Sequence, residues 1–181
     1  MPQPLFTLGH GTADREQLVT LLQGAGVETL VDVRTAPGSR RNPDVARGEM
    51  SRWLPEHGID YRWERRLGGW RRDPADSPDT ALRNRSFGGY AAHMRSAEFL
   101  AAIGELLAAA AEEPTAVLCS ESLWWRCHRR LIADFAVLAR DATVRHIMPD
   151  GRLDEHRPID AARRRADGLL VYDGDQRPLP G

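Results

Sequence analysis

Apolar and polar positions along the chain change period several times, and each change marks an element. Leu5-Phe6-Thr7-Leu8 is a short apolar run ending in Gly9-His10-Gly11-Thr12, the pattern of a buried strand. Asp14 with Gln17 three residues on is a capping-box signature. Leu18, Val19, Leu21, Leu22 and Ala25 then share one helical face, and Gly24 and Gly26 stop that helix. Thr29-Leu30-Val31-Asp32-Val33 is a second strand. Strand, helix and strand within about 30 residues make a βαβ unit, which implies a parallel pair with a right-handed crossover.

The Pro-, Gly- and Asn-bearing stretch from Thr35 to Pro43 reads as a loop. A helix from Arg47 to His57 carries Met50, Trp53 and Leu54, and Ile59 to Trp63 alternates as a third strand. From Glu64 to Ser86 no periodicity persists, so a long loop of the kind that binds or covers ligands is expected. Helices follow from Phe87 and from Ala97 to Glu113. Thr115 to Leu118 is a buried strand running into Cys119, and Leu131, Ile132, Phe135, Leu138 and Ala139 mark the next helix. Ala142 to Ile147 is the last core strand, turning at Pro149-Asp150-Gly151 into a hairpin. The alternation predicts an α/β fold: one three-layer, Rossmann-like domain over residues 1–157, its mostly parallel sheet flanked by helices. Residues 158–181 form a C-terminal extension packed on or trailing from it, with Leu169 to Tyr172 available as a peripheral strand.

Composition narrows the setting. No apolar run approaches the ~20 residues of a membrane helix, and the first residues lack the basic and apolar regions of a signal peptide. A cytoplasmic protein with no membrane partner is expected. Two cysteines are too few for a disulfide scaffold. The net charge of -1 gives no global pull toward nucleic acid, and every basic side chain apart from histidine is an arginine. From Arg34 to Arg72, however, arginines outnumber carboxylates and are interleaved with Trp53, Tyr61, Trp63 and Trp70. Such a surface can grip phosphates and stack bases, or it can be a solvated face with half-buried rings.

Reactive side chains concentrate where strands end. His10 follows the first strand, Asp32 and Arg34 end the second, and Cys119 ends the fourth. If these strands are parallel, the four groups share one rim of the sheet, where open α/β sheets bind ligands. The connection from Cys119 to Arg130 adds Glu121, Trp124, Cys127, His128 and Arg129. Cys119 can be a nucleophile, a ligand or a small buried hydrophobe. Glu121 can be a general acid or neutralise an arginine. Cys127 and His128 are adjacent, and on a helix neighbours point about 100° apart, which counts against mutual activation. Seven residues between the cysteines is not a zinc spacing.

These residues, with their context, resemble a known family. The pieces are Thr7-Leu8-Gly9-His10-Gly11-Thr12, Val31-Asp32-Val33-Arg34, Pro37 with Ser39, Leu67-Gly68-Gly69, and Phe87-Gly88-Gly89-Tyr90 with Met94. Cys119-Ser120-Glu121 through Cys127-His128-Arg129, and Val144-Arg145-His146-Ile147 with Asp150-Gly151, complete the set. The chain is similar to the bacterial and archaeal domain of unknown function 488 family, which implies a compact α/β fold and supplies no reaction. Gly11 stands where the family commonly has serine, and Leu123-Trp124-Trp125 is bulkier than usual there. The functional expectation is an enzyme, a thiol- or carboxylate-assisted transferase or hydrolase, acting on a small anionic, phosphate-bearing substrate or nucleic-acid component. Cys119, Glu121, His10, Cys127 and His128 are the candidate catalytic residues. Asp32, Arg34, Arg129, Gly68, Gly69, Tyr90 and Trp124 are the candidate binding residues. The pattern names no cofactor and no metal ligand set. One alternative is a non-catalytic module binding nucleic acid or protein through the 34–72 surface, and another is a metal or thiol redox site.

Overall fold

The computed structural model describes residues 3–174 of the chain. Five parallel strands and one antiparallel strand form the main sheet: β1 (Leu5–Gly9), β2 (Thr29–Asp32), β3 (Asp60–Trp63), β4 (Thr115–Cys119), β5 (Val144–Ile147) and β6 (Leu153–Glu155). Their spatial order is β3-β2-β4-β1-β5-β6, with only β6 antiparallel to its neighbour. β1, β2 and β4 are buried at every position, as strands covered on both faces must be.

Five helices cover the sheet: α1 (Arg15–Gly24), α2 (Arg47–Glu56), α3 (Arg85–His93), α4 (Ala97–Glu112) and α5 (Arg129–Arg140). Connections from β1 and β2 run one way across the sheet and those from β3 and β4 run the other. Right-handed crossovers therefore place α1 and α2 on one face and α3, α4 and α5 on the opposite face. The two cores follow from strand alternation. Phe6, Leu8, Leu30 and Leu118 pack with Leu18, Leu22, Met50 and Trp53 on the first face. Leu5, Val31, Val33, Val117 and Cys119 pack with Phe99, Ile103, Leu131 and Phe135 on the second. The fold is thus a three-layer α/β domain, doubly wound like the Rossmann type but in its own strand order.

Local signals act where the sequence puts them. The Asp14 and Gln17 capping box closes the start of α1 in both directions, and Gly26 turns the chain out of it at φ 72°. The long loop after β3 is shorter than its composition suggests, because a 3-10 turn occupies Arg65–Leu67 and α3 begins at Arg85. Leu170–Tyr172 (β8) is fully buried and pairs with Ala162–Arg164 (β7) in a separate two-stranded sheet instead of extending the main one. Arg95 donates to the Leu170 carbonyl, and Tyr172 reaches Asp134 on α5, so this segment is packed on the domain. The last part of the expected extension, residues 175–181, lies outside the described residues.

Candidate functional site

β1 and β4 are neighbours whose chains leave toward opposite faces, so their exit loops separate above the rim of the sheet. Such a divergence is where open α/β sheets form a binding crevice. The two loops begin together: His10 N–H donates to the Cys119 carbonyl at 3.0 Å and Gly11 N–H to the Ser120 carbonyl at 2.9 Å. The approach demands glycine at position 9, because a Cβ there would lie 1.6 Å from the Glu121 carbonyl oxygen.

On the α3–α5 face of this rim, Cys119, Cys127 and His128 come together. Cys127 is extended at φ -119° and ψ 152° after a 3-10 turn over Trp124–Arg126, and His128 caps α5 at φ -59°. The helical 100° argument therefore does not apply to this pair. Instead, His128 Nδ1 lies 3.5 Å from Cys127 Sγ, while Nε2 donates to the Val33 carbonyl at 2.8 Å. A carbonyl can only accept, so Nε2 carries a proton and Nδ1 is the nitrogen that faces the thiol. Loop backbone closes over the ring. A Cβ at Gly69 would sit 3.2 Å from His128 Nδ1, and Thr35 Oγ1 donates to the Gly69 carbonyl at 2.8 Å. Tyr90 packs 5.0 Å from the His128 ring and donates its hydroxyl to the Leu67 carbonyl.

The two thiols differ electrostatically. Burial alone would raise Cys127, but a hydrogen bond from Cys119, the charge and hydrogen bond of His128 and the Arg129 charge outweigh it. The Cys127 thiol is held well below the ordinary cysteine range. Cys119 is driven well above it by burial and by its neighbour's developing charge. Cys119 Sγ also lies 3.7 Å from the Glu121 carbonyl, and both cysteines are free thiols.

The other expected residues are distributed differently. Asp32 and Arg34 face α2, on the opposite side of the sheet from Cys119. Arg34 Nε and Nη2 grip both Asp32 oxygens at 2.9 and 2.7 Å, Nη2 also reaches the Val45 carbonyl, and the Tyr61 hydroxyl donates to Asp32. Both residues are buried, so these hydrogen bonds are made within the protein. His10 bridges the faces: its Nδ1 donates to the Gly11 carbonyl, and Arg34, Asp32 and Cys127 all act on it. Burial, reinforced by the Arg34 charge, lowers its pKa. Arg129 is fully buried and bonds Thr7 Oγ1 and the Glu121 and Ser122 carbonyls, pinning the β4 exit loop onto β1. Glu121 contributes that carbonyl inward while the residue itself is exposed. Trp124 stacks on His146 at 4.3 Å.

His146 and His156, which are not among the candidate residues read from the sequence, form a buried connection. Thr7 Oγ1 meets His146 Nδ1, His146 Nε2 lies 2.8 Å from His156 Nδ1, and His156 Nε2 lies 2.7 Å from Asp134 Oδ1. Tyr172 closes the chain on Asp134 Oδ2 at 2.8 Å. Every member is buried. The available signal was the β5–β6 hairpin, which pairs His146 with Asp154 and so brings position 156 alongside.

A cleft of about 700 Å³ opens beside this rim between the exit loops of β1 and β5. Its charged lining is His10 with Asp14, Glu16 and Asp150, so it is acidic. Of the interleaved aromatics, Trp53 is buried, Trp63 donates to the Arg34 carbonyl beneath Arg47, and only Trp70 is strongly exposed. Among the described residues, no group of three or more His, Cys, Asp or Glu could hold a metal ion, and no helix is long and apolar enough to cross a membrane.

No curated protein and no solved structure matches the chain. Residues 14–136 match the family model described as Domain of unknown function DUF488, about two thirds of the chain, and the protein belongs to that family.

Proposed function

We propose that the protein is a thiol enzyme, a transferase or hydrolase, in which Cys127 is the nucleophile and His128 its proton partner. The Cys127–His128–Val33 arrangement carries this reading: a nucleophile within reach of a base whose far nitrogen is held by a third group. His128 Nδ1 takes the thiol proton, and the thiolate attacks the electrophilic centre of the substrate. The leaving group departs with the proton from Nδ1, and water or an acceptor releases the product from sulfur. An anionic, phosphate-bearing substrate fits the start of α5 and the exposed arginines of the surrounding loops, Arg40, Arg41, Arg72 and Arg126. The acidic cleft beside His10 would then receive a neutral or cationic portion of that substrate.

Alkylation of each cysteine against pH, resolved by peptide mapping, tests the reading. Cys127 should react with a midpoint well below ~8.5, be protected by inorganic phosphate, and shift upward in His128→Ala. Reaction of both cysteines only after unfolding would end it. Trp70, 80% exposed and followed by Arg71 and Arg72, favours a second reading as a nucleic-acid-binding module. That reading predicts salt-sensitive binding of single-stranded DNA that survives Cys127→Ser and is lost in Trp70→Ala.

A further inference from the structure

The main sheet ends in an open edge at β6, and the side chains along that edge are complementary to a second copy of themselves. β6 pairs with β5 by Arg145 with Glu155, His146 with Asp154 and Ile147 with Leu153. The flanking bonds, Met148 N–H to the Arg152 carbonyl and His156 N–H to the Val144 carbonyl, set the phase of this ladder. Hydrogen-bonded positions alternate along an antiparallel strand, so Asp154 and His156 turn their backbone groups toward β5. Leu153 and Glu155 turn theirs outward, where no further strand lies among the described residues.

Proteins that leave such an edge bare guard it with proline, a bulge or an inward-pointing charge. β6 pairs regularly, holds no proline and exposes Leu153. Trp125 is exposed beside it, and both line a groove of about 520 Å³ that follows the edge as far as Arg157. Among the described residues only Trp70 is another large apolar side chain so exposed, which concentrates apolar surface at this edge. We infer that the protein forms a two-fold dimer through β6, the second copy adding its own β6 antiparallel so that the two sheets continue as one.

Charge selects both the occupant and the register. A two-fold axis at the edge sets one residue opposite itself. Centred on Arg152, Asp154 or Glu155, it opposes two like charges, which destabilises a strand pair. Centred on Leu153, it brings two leucines together and pairs their outward N–H and C=O groups. On either side Arg152 then stands opposite Asp154 of the second copy, and Glu155 stands opposite Gly151, which has no side chain. Arg152 is exposed, and its carboxylate neighbours within the chain, Asp150 and Asp154, are held loosely at 3.7 and 3.9 Å. The guanidinium is therefore available to a carboxylate across the axis. An unrelated strand would have to supply an apolar residue between a cation and an anion in this order, whereas symmetry makes a second copy supply it.

Sedimentation equilibrium of the full-length chain over a wide concentration range, with amide hydrogen exchange read by NMR at both ends of that range, tests the inference. A monomer–dimer equilibrium is expected. The Leu153 and Glu155 amides should gain protection with dimer, whereas the His156 amide, bonded to Val144 in either state, should not change. Leu153→Pro removes only an outward N–H, a place where an edge strand accepts proline, and should be folded and monomeric throughout. Arg152→Asp and Asp154→Arg should each weaken the dimer at least about tenfold, because the two-fold makes each substitution count twice. Together they restore opposite charges across the axis and should restore the dimer. A wild type that is monomeric at every concentration would overturn the inference. So would a dimer whose Leu153 amide exchanges as in the monomer, or charge reversals that fail to rescue each other.

Discussion

The buried histidine chain makes stability depend on pH in a calculable way. The donors can be ordered without conflict with a single proton on each ring. Asp134 accepts from His156 Nε2–H, His156 Nδ1 accepts from His146 Nε2–H, and His146 Nδ1 accepts from the Thr7 hydroxyl. Thr7 oxygen in turn accepts from Arg129. A proton added to His146 would sit in a dry site beside another histidine and an arginine. Burial, then His156, then Arg129 push its pKa down to about 2. The unfolded chain protonates the same residue at ~6.5. Between these values the unfolded state binds the extra proton, so stability falls as pH falls, by about 1.4 kcal/mol per unit. From neutral pH to about pH 4.5 the loss from His146 alone is on the order of 3 kcal/mol, a large part of the roughly 5–15 kcal/mol that holds a domain together. Urea unfolding at about pH 7.5 and 4.5 on wild type and His146→Gln isolates the effect. The variant starts less stable because the chain is broken, but its loss between the two pH values should be smaller by roughly 3 kcal/mol. Equal losses in the two proteins would refute a neutral, inaccessible His146.

Two further substitutions test the packing of the rim. Gly9→Ala should cost more than about 3 kcal/mol in urea unfolding, because the new methyl meets the backbone carbonyl of Glu121 and no flexible side chain can yield. A wild-type midpoint would disprove the close approach of the β1 and β4 exits. Trp70→Gly should raise stability by about 1 kcal/mol, since the tryptophan holds a left-handed backbone at φ 57° with its ring in solvent. Destabilisation instead would mean that the ring makes a contact worth more than the strain.

Much of the fold is legible in the chain because the signals are local. The Asp14–Gln17 capping box, the apolar run into Cys119 and the Leu131 to Ala139 face need only nearby residues, and each becomes the element it suggests. The gathering of His10, Asp32, Arg34 and Cys119 was legible as far as strand ends on one rim. Which groups meet was not. Alternation along β2 turns Asp32 toward α2 while Val33 faces α5, so neighbours in sequence belong to different faces. The Asp32–Tyr61 contact depends on the β2–β3 register and has no local trace; of the histidine chain, which joins β1, β5, α5 and the chain beyond β6, only the β5–β6 hairpin is local. The separation of about 100° weighed for Cys127 and His128 holds only on a helix, whereas Cys127 is extended and α5 begins at Arg129.

The division of β2 between faces ties the two halves of the rim together. Asp32 and Arg34 lock to each other on the α2 side, Trp63 Nε1 donates to the Arg34 carbonyl at 2.7 Å, and Glu64 N–H donates to the Asp32 carbonyl at 2.8 Å. Between these pinned residues lies Val33, whose carbonyl orients His128. A site is only as well placed as the shell that holds it, so the ion pair on one face fixes the carbonyl that holds His128 on the other. Asp32→Asn removes the charge opposite a buried guanidinium and should cost about 3–5 kcal/mol, read by urea unfolding. It should also loosen the Val33 carbonyl and, in protein kept folded below the unfolding transition, raise the midpoint of Cys127 alkylation toward that of an ordinary thiol. Cys119→Ala reaches the same thiol without touching β2 and serves as the comparison. If Asp32→Asn is destabilised as expected while Cys127 alkylates as in wild type, the ion pair holds the sheet and has no part in orienting His128.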